Sequence, residues 1–169
     1  LTFSVRNVSH QTWGHSFKDG SYSKSDVRPP WFEYLEDIKH VVIEDGVTNI
    51  SAHAFAFCKE LVDVTIPDSV TEIGKSAFAY CKNLESIKIP NGVKTIHNGT
   101  FKFCDMLGTI YLPDSISTIS EYAFSDCPSL TNLTIPNDVT KIECRAFLDC
   151  ESLKEVSVPV NCEYEINSF

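Results

Sequence analysis

Phe55–Leu61 reads FAFCKEL, and 23 residues further on Phe78–Leu84 reads FAYCKNL. The same frame returns as FKFCDML at 101–107, FSDCPSL at 124–130 and FLDCESL at 147–153. A fixed period of this length dictates the architecture before any local element is read. Other columns keep the same step: Ile50, Ile73, Ile96, Ile119 and Ile142, then Leu61, Leu84, Leu107, Leu130 and Leu153, then Pro67, Pro90, Pro113, Pro136 and Pro159. One such unit cannot bury its apolar edges alone. Stacking buries them, so the chain is a solenoid.

Each unit divides into parts. In NLESIKIP (83–90), Leu84, Ile87 and Ile89 give the alternation of a half-buried strand, and Pro90, which has no N–H for a ladder, closes it. The PDS, PNG and PND segments that follow are turn chemistry, since Asp, Asn and Gly tolerate the backbone angles a turn needs. VTEI (70–73) is long enough only for a second, small strand carrying Val70 and Ile73. KSAFAYC (75–81) sets Phe78 and Cys81 three residues apart, a spacing that predicts one turn of α- or 3-10 helix. The expected fold class is an α/β repeat: ~23-residue coils with a parallel β-sheet on one face and short strands or 3-10 turns on the other.

This unit resembles the BspA-like (Treponema-type) leucine-rich repeats. The resemblance rests on the strands VTIP, IKIP and LTIP, on SVTEIGKSAFAYC (69–81) and on the Leu that follows, and it covers residues from about 31 to 160. PPWFEYLEDIKHVVIEDGVTNI (29–50) is similar to the family's first coil; in that register Phe32 falls on the Phe column, Leu35 on the Cys column and Ile38 on the Leu column. The resemblance implies a right-handed leucine-rich-repeat solenoid. It also implies a bacterial protein at the cell surface or in the extracellular space, with adhesion or host-interaction roles. The fold is a scaffold on which many functions are grafted, so the chemistry of the site has to be argued separately.

Five cysteines stand in register: Cys58, Cys81, Cys104, Cys127 and Cys150. Stacked coils bring equivalent α-carbons to about 4.8 Å, yet an in-register ladder offers poor disulfide torsions. Metal ligation needs CxxC or Cys/His spacings, and only His53 with Cys58 comes near. A catalytic thiol needs an adjacent base, and none recurs. The column therefore reads as small buried side chains of a structural core ladder. Cys162 aligns with Val70, Val93, Ile116 and Val139 and reads as buried; Cys144 aligns with Lys75, Asn98 and Glu121 and is the best candidate for a reactive thiol. Seven thiols in an exported protein conflict with the usual oxidising milieu, a conflict that the anaerobic habitat implied by the resemblance removes.

Residues 1–35 do not repeat and read as an N-terminal cap, with LTFSV as an edge strand and Phe3, Val5, Trp31 and Phe32 covering the first coil. An aromatic ligand site around Trp13 and Trp31 is the functional alternative. The solenoid proper spans 36–159, and 160–169 forms a degenerate last coil or C-terminal cap, unless the protein continues; Phe169 lies ten residues past Pro159, where the repeat asks for eleven. The chain opens on Leu1 rather than Met, which fits removal of an upstream segment.

The net charge of −9 and pI near 4.9 disfavour nucleic acid and anionic membrane surfaces, which select basic faces. No apolar run approaches the ~18 residues of a spanning helix. Phosphate-cradling glycine loops, nucleophile elbows and paired-carboxylate constellations are absent from the sequence, and no cofactor or enzymatic activity is expected. Two outward columns of the main sheet should instead face a partner: His40, Asp63, Ser86, Thr109, Asn132 and Glu155, and Val42, Thr65, Lys88, Tyr111, Thr134 and Ser157. Six strands give a strip of about 25 Å, wide enough for a peptide, a glycan or part of a protein surface. His40, Asp63, Lys88, Tyr111, Asn132 and Glu155 are the candidate contact residues. Lys88 and Tyr111 lead because large amphipathic side chains carry most interface energy. The expected function is a non-catalytic, monomeric binding module for a protein or glycan; the alternative is a spacer array that presents another domain and binds nothing.

Overall fold

The computed structural model of the chain describes residues 2–5, 31–131, 133–165 and 167–169. Trp13 and Asn132 lie outside these residues, as do the side chains of Phe3 and Val5. Two sets of parallel strands run along the stack. The main sheet face is built of two hydrogen-bonded pieces set side by side, β1 (Thr2–Val5), β2 (His40–Ile43) and β4 (Asp63–Thr65) in one, β6 (Ser86–Lys88) and β8 (Thr109–Tyr111) in the other. The lateral set comprises β3 (Asn49–Ile50), β5 (Glu72–Ile73), β7 (Thr95–Ile96), β9 (Thr118–Ile119), β10 (Lys141–Ile142) and β11 (Glu163–Tyr164). Register steps by one repeat, pairing His40 with Asp63 and Lys88 with Tyr111 in the main sheet and Ile50 with Ile73 in the lateral one. The edge strand expected at LTFSV is β1, and Thr2 pairs with His40.

Burial follows the sequence columns. Leu61, Leu84, Leu107 and Leu130, the Ile column and Phe55 through Phe147 form one apolar core along the stack. Inward Val64, Ile87 and Ile110 alternate with exposed or half-exposed neighbours on their strands, as a sheet with one solvated face requires.

An aromatic column is continuous from Trp31 through Phe55, Phe78, Phe101, Phe124 and Phe147 to Phe169, with successive ring centroids 5.2–5.7 Å apart and planes within 14°. Trp31, not Phe32, opens this column. One extra residue separates Trp31 from Leu35 compared with Phe78 and Cys81, and the 3-10 turn Phe32–Tyr34 absorbs it. The indole gains what a phenyl ring could not, because Trp31 Nε1 donates to the Ala54 carbonyl at 2.8 Å. Leu35 and Ile38 are buried, in the register read from the sequence. At the other end Phe169 stacks on Phe147 despite its shortened spacing.

The segment between the lateral strand and the Cys column is not helical. Each such arc carries two left-handed residues, for example His53 and Phe57, Ser76 and Tyr80, Tyr122 and Asp126, Arg145 and Asp149. Left-handed residues cannot continue a right-handed turn. Backbone donors therefore alternate: Phe55 and Phe57 N–H reach Ala77 and Ala79 carbonyls of the next coil, both at 2.8 Å, while Ala54 and Ala56 bond within their own coil to Ser51 and His53. The arc is a third seam between coils. Phe57, Tyr80 and Phe103 add a second, half-exposed stack along it, with centroids 4.4 and 4.6 Å apart.

Candidate binding face

On the main sheet, the outward residues of β2, β4, β6 and β8 fall where the pleat places them. Asp63, Thr65, Ser86, Lys88 and Tyr111 are exposed, while His40 and Thr109 are half-exposed. His40 and Asp63 meet across adjacent strands, Nδ1 to Oδ2 2.6 Å. Lys88 and Tyr111 are direct register partners on β6 and β8, and Tyr111 is 61% exposed although its strand neighbour Ile110 is buried. Two pairs of predicted residues thus come together, one on β2 and β4 and one on β6 and β8.

The strip is shorter than six repeat strands. Among the described residues, 131, 133–135 and 154–158 carry no strand, although Thr131 N–H still reaches the Gly108 carbonyl at 3.1 Å. Glu155 is exposed but stands on irregular backbone. The face ends at Tyr111 on one side and gains β1 on the other, where Ser4 Oγ donates to Glu44 at 2.6 Å. Five strands at ~4.8 Å spacing leave about 19 Å between the outer two.

The five cysteines of the ladder are buried, and all seven thiols of the chain are free. Each thiol from the second onward donates to the Phe carbonyl of the preceding coil: Cys81 to Phe55 and Cys104 to Phe78 at 3.2 Å, Cys127 to Phe101 and Cys150 to Phe124 at 3.1 Å. The Phe55 and Phe78 carbonyls also accept the Cys58 and Cys81 N–H of their own coils, so there the thiol supplies a second partner. Burial pushes the Cys58 and Cys150 thiols up to about 12 and raises Cys81 and Cys104 for the same reason. Cys127 is raised first by its hydrogen-bonding neighbour Cys104 and then by burial. Neutral thiols are poor nucleophiles and poor metal ligands. Cys162 is buried as its column required, and Cys144 is half-buried.

A cluster invisible to the repeat analysis sits on the arc. Lys102 Nζ lies 4.4 Å from the ring centroid of Tyr122, and the Arg145 guanidinium carbon lies 5.6 Å from the same centroid. Arg145 Nη1 also donates to the Tyr122 hydroxyl oxygen. These residues occupy variable columns, so no periodic signal marks them; only the missing side chain of Gly99, 23 residues before Tyr122, hints at the opening Lys102 fills.

With this geometry in place, the comparisons with known proteins are unambiguous about class. Residues 25–154 match the BspA type leucine rich repeat region in six copies, and the chain belongs to that family. A leucine rich cell surface protein from Faecalibacterium prausnitzii is similar at 41% identity and TM-score 0.67, over 74% of this chain and 34% of that one. The leucine rich repeat protein of T. pallidum is similar at 29% identity and TM-score 0.73, over 76% of this chain and 60% of that one. A leucine-rich repeat protein from Bacteroides ovatus shares the fold over 97% of this chain and 47% of that one, at 24% identity and TM-score 0.65. This chain thus spans 34% to 60% of the length of these structures. Among curated proteins, none matches the chain.

Proposed function

We propose that this chain is a non-catalytic binding module of a surface-displayed or secreted bacterial protein, and that the main-sheet face contacts a protein or glycan partner in an adhesive role. The observation that carries the reading is Tyr111, 61% exposed, and Lys88 in register beside it on a strand pair whose inward residues are locked in the core. A rigid sheet that presents a large amphipathic side chain and an ammonium group side by side is preorganised for contact, so little ordering entropy is lost on binding. The similarity to a leucine rich cell surface protein of Faecalibacterium prausnitzii supports display outside the cell. The flanking hydroxyls of Thr65, Ser86 and Thr109 suit a hydrogen-bonding partner.

The test is binding of the folded chain to immobilised matrix proteins and glycans, beside a Lys88→Ala/Tyr111→Ala variant of unchanged circular dichroism. Loss of about 2 kcal/mol or more in the variant is expected, the size of an interface hot spot. Binding that survives the double substitution moves the contact off this face. A folded chain that binds nothing on the panel favours the spacer reading.

A further inference from the structure

We propose that the array is hinged between two blocks, one ending at Cys81 and the other beginning at Lys82, with the arc as the axis on which they turn. The repeat asks for the same bonds at every seam, so a seam that lacks them stands out from its neighbours. On the main face β4 pairs with β2 and β6 pairs with β8, but β4 and β6 lie side by side in separate hydrogen-bonded pieces. The lateral strands divide at the same seam, β3 and β5 in one piece and β7, β9, β10 and β11 in the other. The flanking bonds agree. Gly74 N–H reaches the Ile50 carbonyl and Ser120 N–H that of Ile96, both at 2.8 Å; among the described residues His97, which stands between them in the column, makes no such bond to Ile73. On the main side Asn83 and Glu85 N–H still reach the Lys59 and Val62 carbonyls, each at 3.2 Å, against 3.0 Å for Met106 to Lys82 and Gly108 to Glu85 at the next seam.

Side chains skip the same seam. Ser69 and Ser115 donate to the Val47 and Val93 carbonyls of the preceding coil at 2.9 and 2.7 Å, and the residue between them in the column is Gly92. Thr71 and Ser117 donate to the Thr48 and Lys94 carbonyls at 3.3 and 3.2 Å, and the residue between them is Lys94, which has no hydroxyl. Lys59 pairs back to Glu36 and Lys82 pairs on to Asp105, so the column sets two lysines next to each other across this seam. Like charges so placed repel. A groove of about 460 Å³, lined by Thr71, Glu72, Gly92, Lys94, Thr95 and His97, marks the lateral side. The aromatic column is also widest here, 5.7 Å between Phe78 and Phe101. The arc behaves differently. Ser76, Phe78 and Tyr80 N–H reach the carbonyls of Asn98, Thr100 and Lys102 at 2.8–3.0 Å, and the Cys104 thiol reaches Phe78 at 3.2 Å. Directional bonds thus fix one edge of the seam, while the sheet edges rest chiefly on apolar contact, which is non-directional and tolerates a small rotation. That contrast is what a hinge requires. The pairs His40–Asp63 and Lys88–Tyr111 ride on different blocks, so the hinge angle sets the distance between them.

The experiment is amide relaxation-dispersion NMR on the whole chain, which reads hinge motion on the microsecond-to-millisecond scale. Exchange is expected at residues 70–75 and 93–97 and not at their counterparts 116–120 of the next coil. Lys94→Thr, at an exposed position, supplies the hydroxyl that Thr71 and Ser117 carry, and should lower the open population about fivefold, the effect of one added hydrogen bond. Lys59→Glu sets a carboxylate opposite Lys82 and should lower it about twofold. Lys154→Thr, the same substitution away from the seam, should leave exchange unchanged. Exchange absent from this seam, exchange spread evenly over every coil, or exchange that persists undiminished in both Lys94→Thr and Lys59→Glu would each overturn the hinge.

Discussion

Replacing Phe101 by Ala tests the stacking logic at its centre. The Phe101 side chain is fully buried, and its ring lies between Phe78 at 5.7 Å and Phe124 at 5.5 Å. Truncating a buried Phe costs about 3–5 kcal/mol, and each stacked aromatic pair is worth about 0.5–1.5 kcal/mol beyond area burial. With ring neighbours on both faces, the upper end of the range applies, about 5 kcal/mol. Phe169 is the internal control. It has one parallel neighbour, Phe147, and is 48% exposed. Half burial of a ring predicts a loss nearer 1–2 kcal/mol for Phe169→Ala, roughly half the full transfer value plus one stack. Urea unfolding followed by far-ultraviolet circular dichroism separates the two. At a slope of about 2 kcal/mol per molar, the Phe101 variant should shift the midpoint by about 2.5 M. It should also broaden the transition, because a weakened seam uncouples the coils on either side. Equal losses at the two positions, or a loss at Phe101 below about 2 kcal/mol, would show that the column is not the common core of the stack.

Other consequences can be checked as directly. Ladder thiols raised by burial lose their protons only when the chain opens, so their contribution to stability is complete below the ordinary thiol value near 9 and is lost as pH rises towards about 12. Each such thiol should lower stability by about 1.4 kcal/mol per pH unit in that window, and Cys150→Ala should reduce the slope by one proton; urea midpoints that are flat from pH 7 to 10 would contradict the buried ladder. Native labelling should accordingly modify half-buried Cys144 well before Cys81, Cys104 and Cys127. A Cβ at Gly74 would lie 2.5 Å from the Ala52 nitrogen and 2.9 Å from its α-carbon, backbone that cannot yield, so Gly74→Ala should cost about 3 kcal/mol. Gly108→Ala, whose nearest contact would be 3.6 Å, should stay within about 0.5 kcal/mol on the same urea scale.

The repeating columns were legible because their cause is local and periodic: a residue that fills the core in one coil fills it in the next. This holds for Phe78 and Phe101, for the Cys ladder and for the outward placement of Lys88 and Tyr111. Phe32 misled because one extra residue before Leu35 moves Trp31 into the column, and an insertion inside a turn leaves no mark on the periodicity around it. The arc at 75–81 misled for a different reason. Spacing of three fits a helical turn, but the backbone at Ser76 and Tyr80 is left-handed, a requirement set by donors that reach the neighbouring coil. Residues 133–135 and 154–158 keep the alternation of a strand without pairing as one, because a ladder depends on backbone donors and acceptors that side-chain alternation does not report. The group of Lys102, Tyr122 and Arg145 draws on three columns in three coils, and no single repeat contains it.

The thiol that reaches back to a carbonyl 26 residues earlier ties each coil only to the one before it. Every seam is therefore addressed to its nearest neighbour and to nothing more distant. A gene that gained or lost one block of 23 codons would leave each remaining seam chemically unchanged and would alter the array by one step of ~4.8 Å. Length then behaves as a dial that is independent of foldability. A protein built this way can tune how far it extends while each face keeps its local geometry.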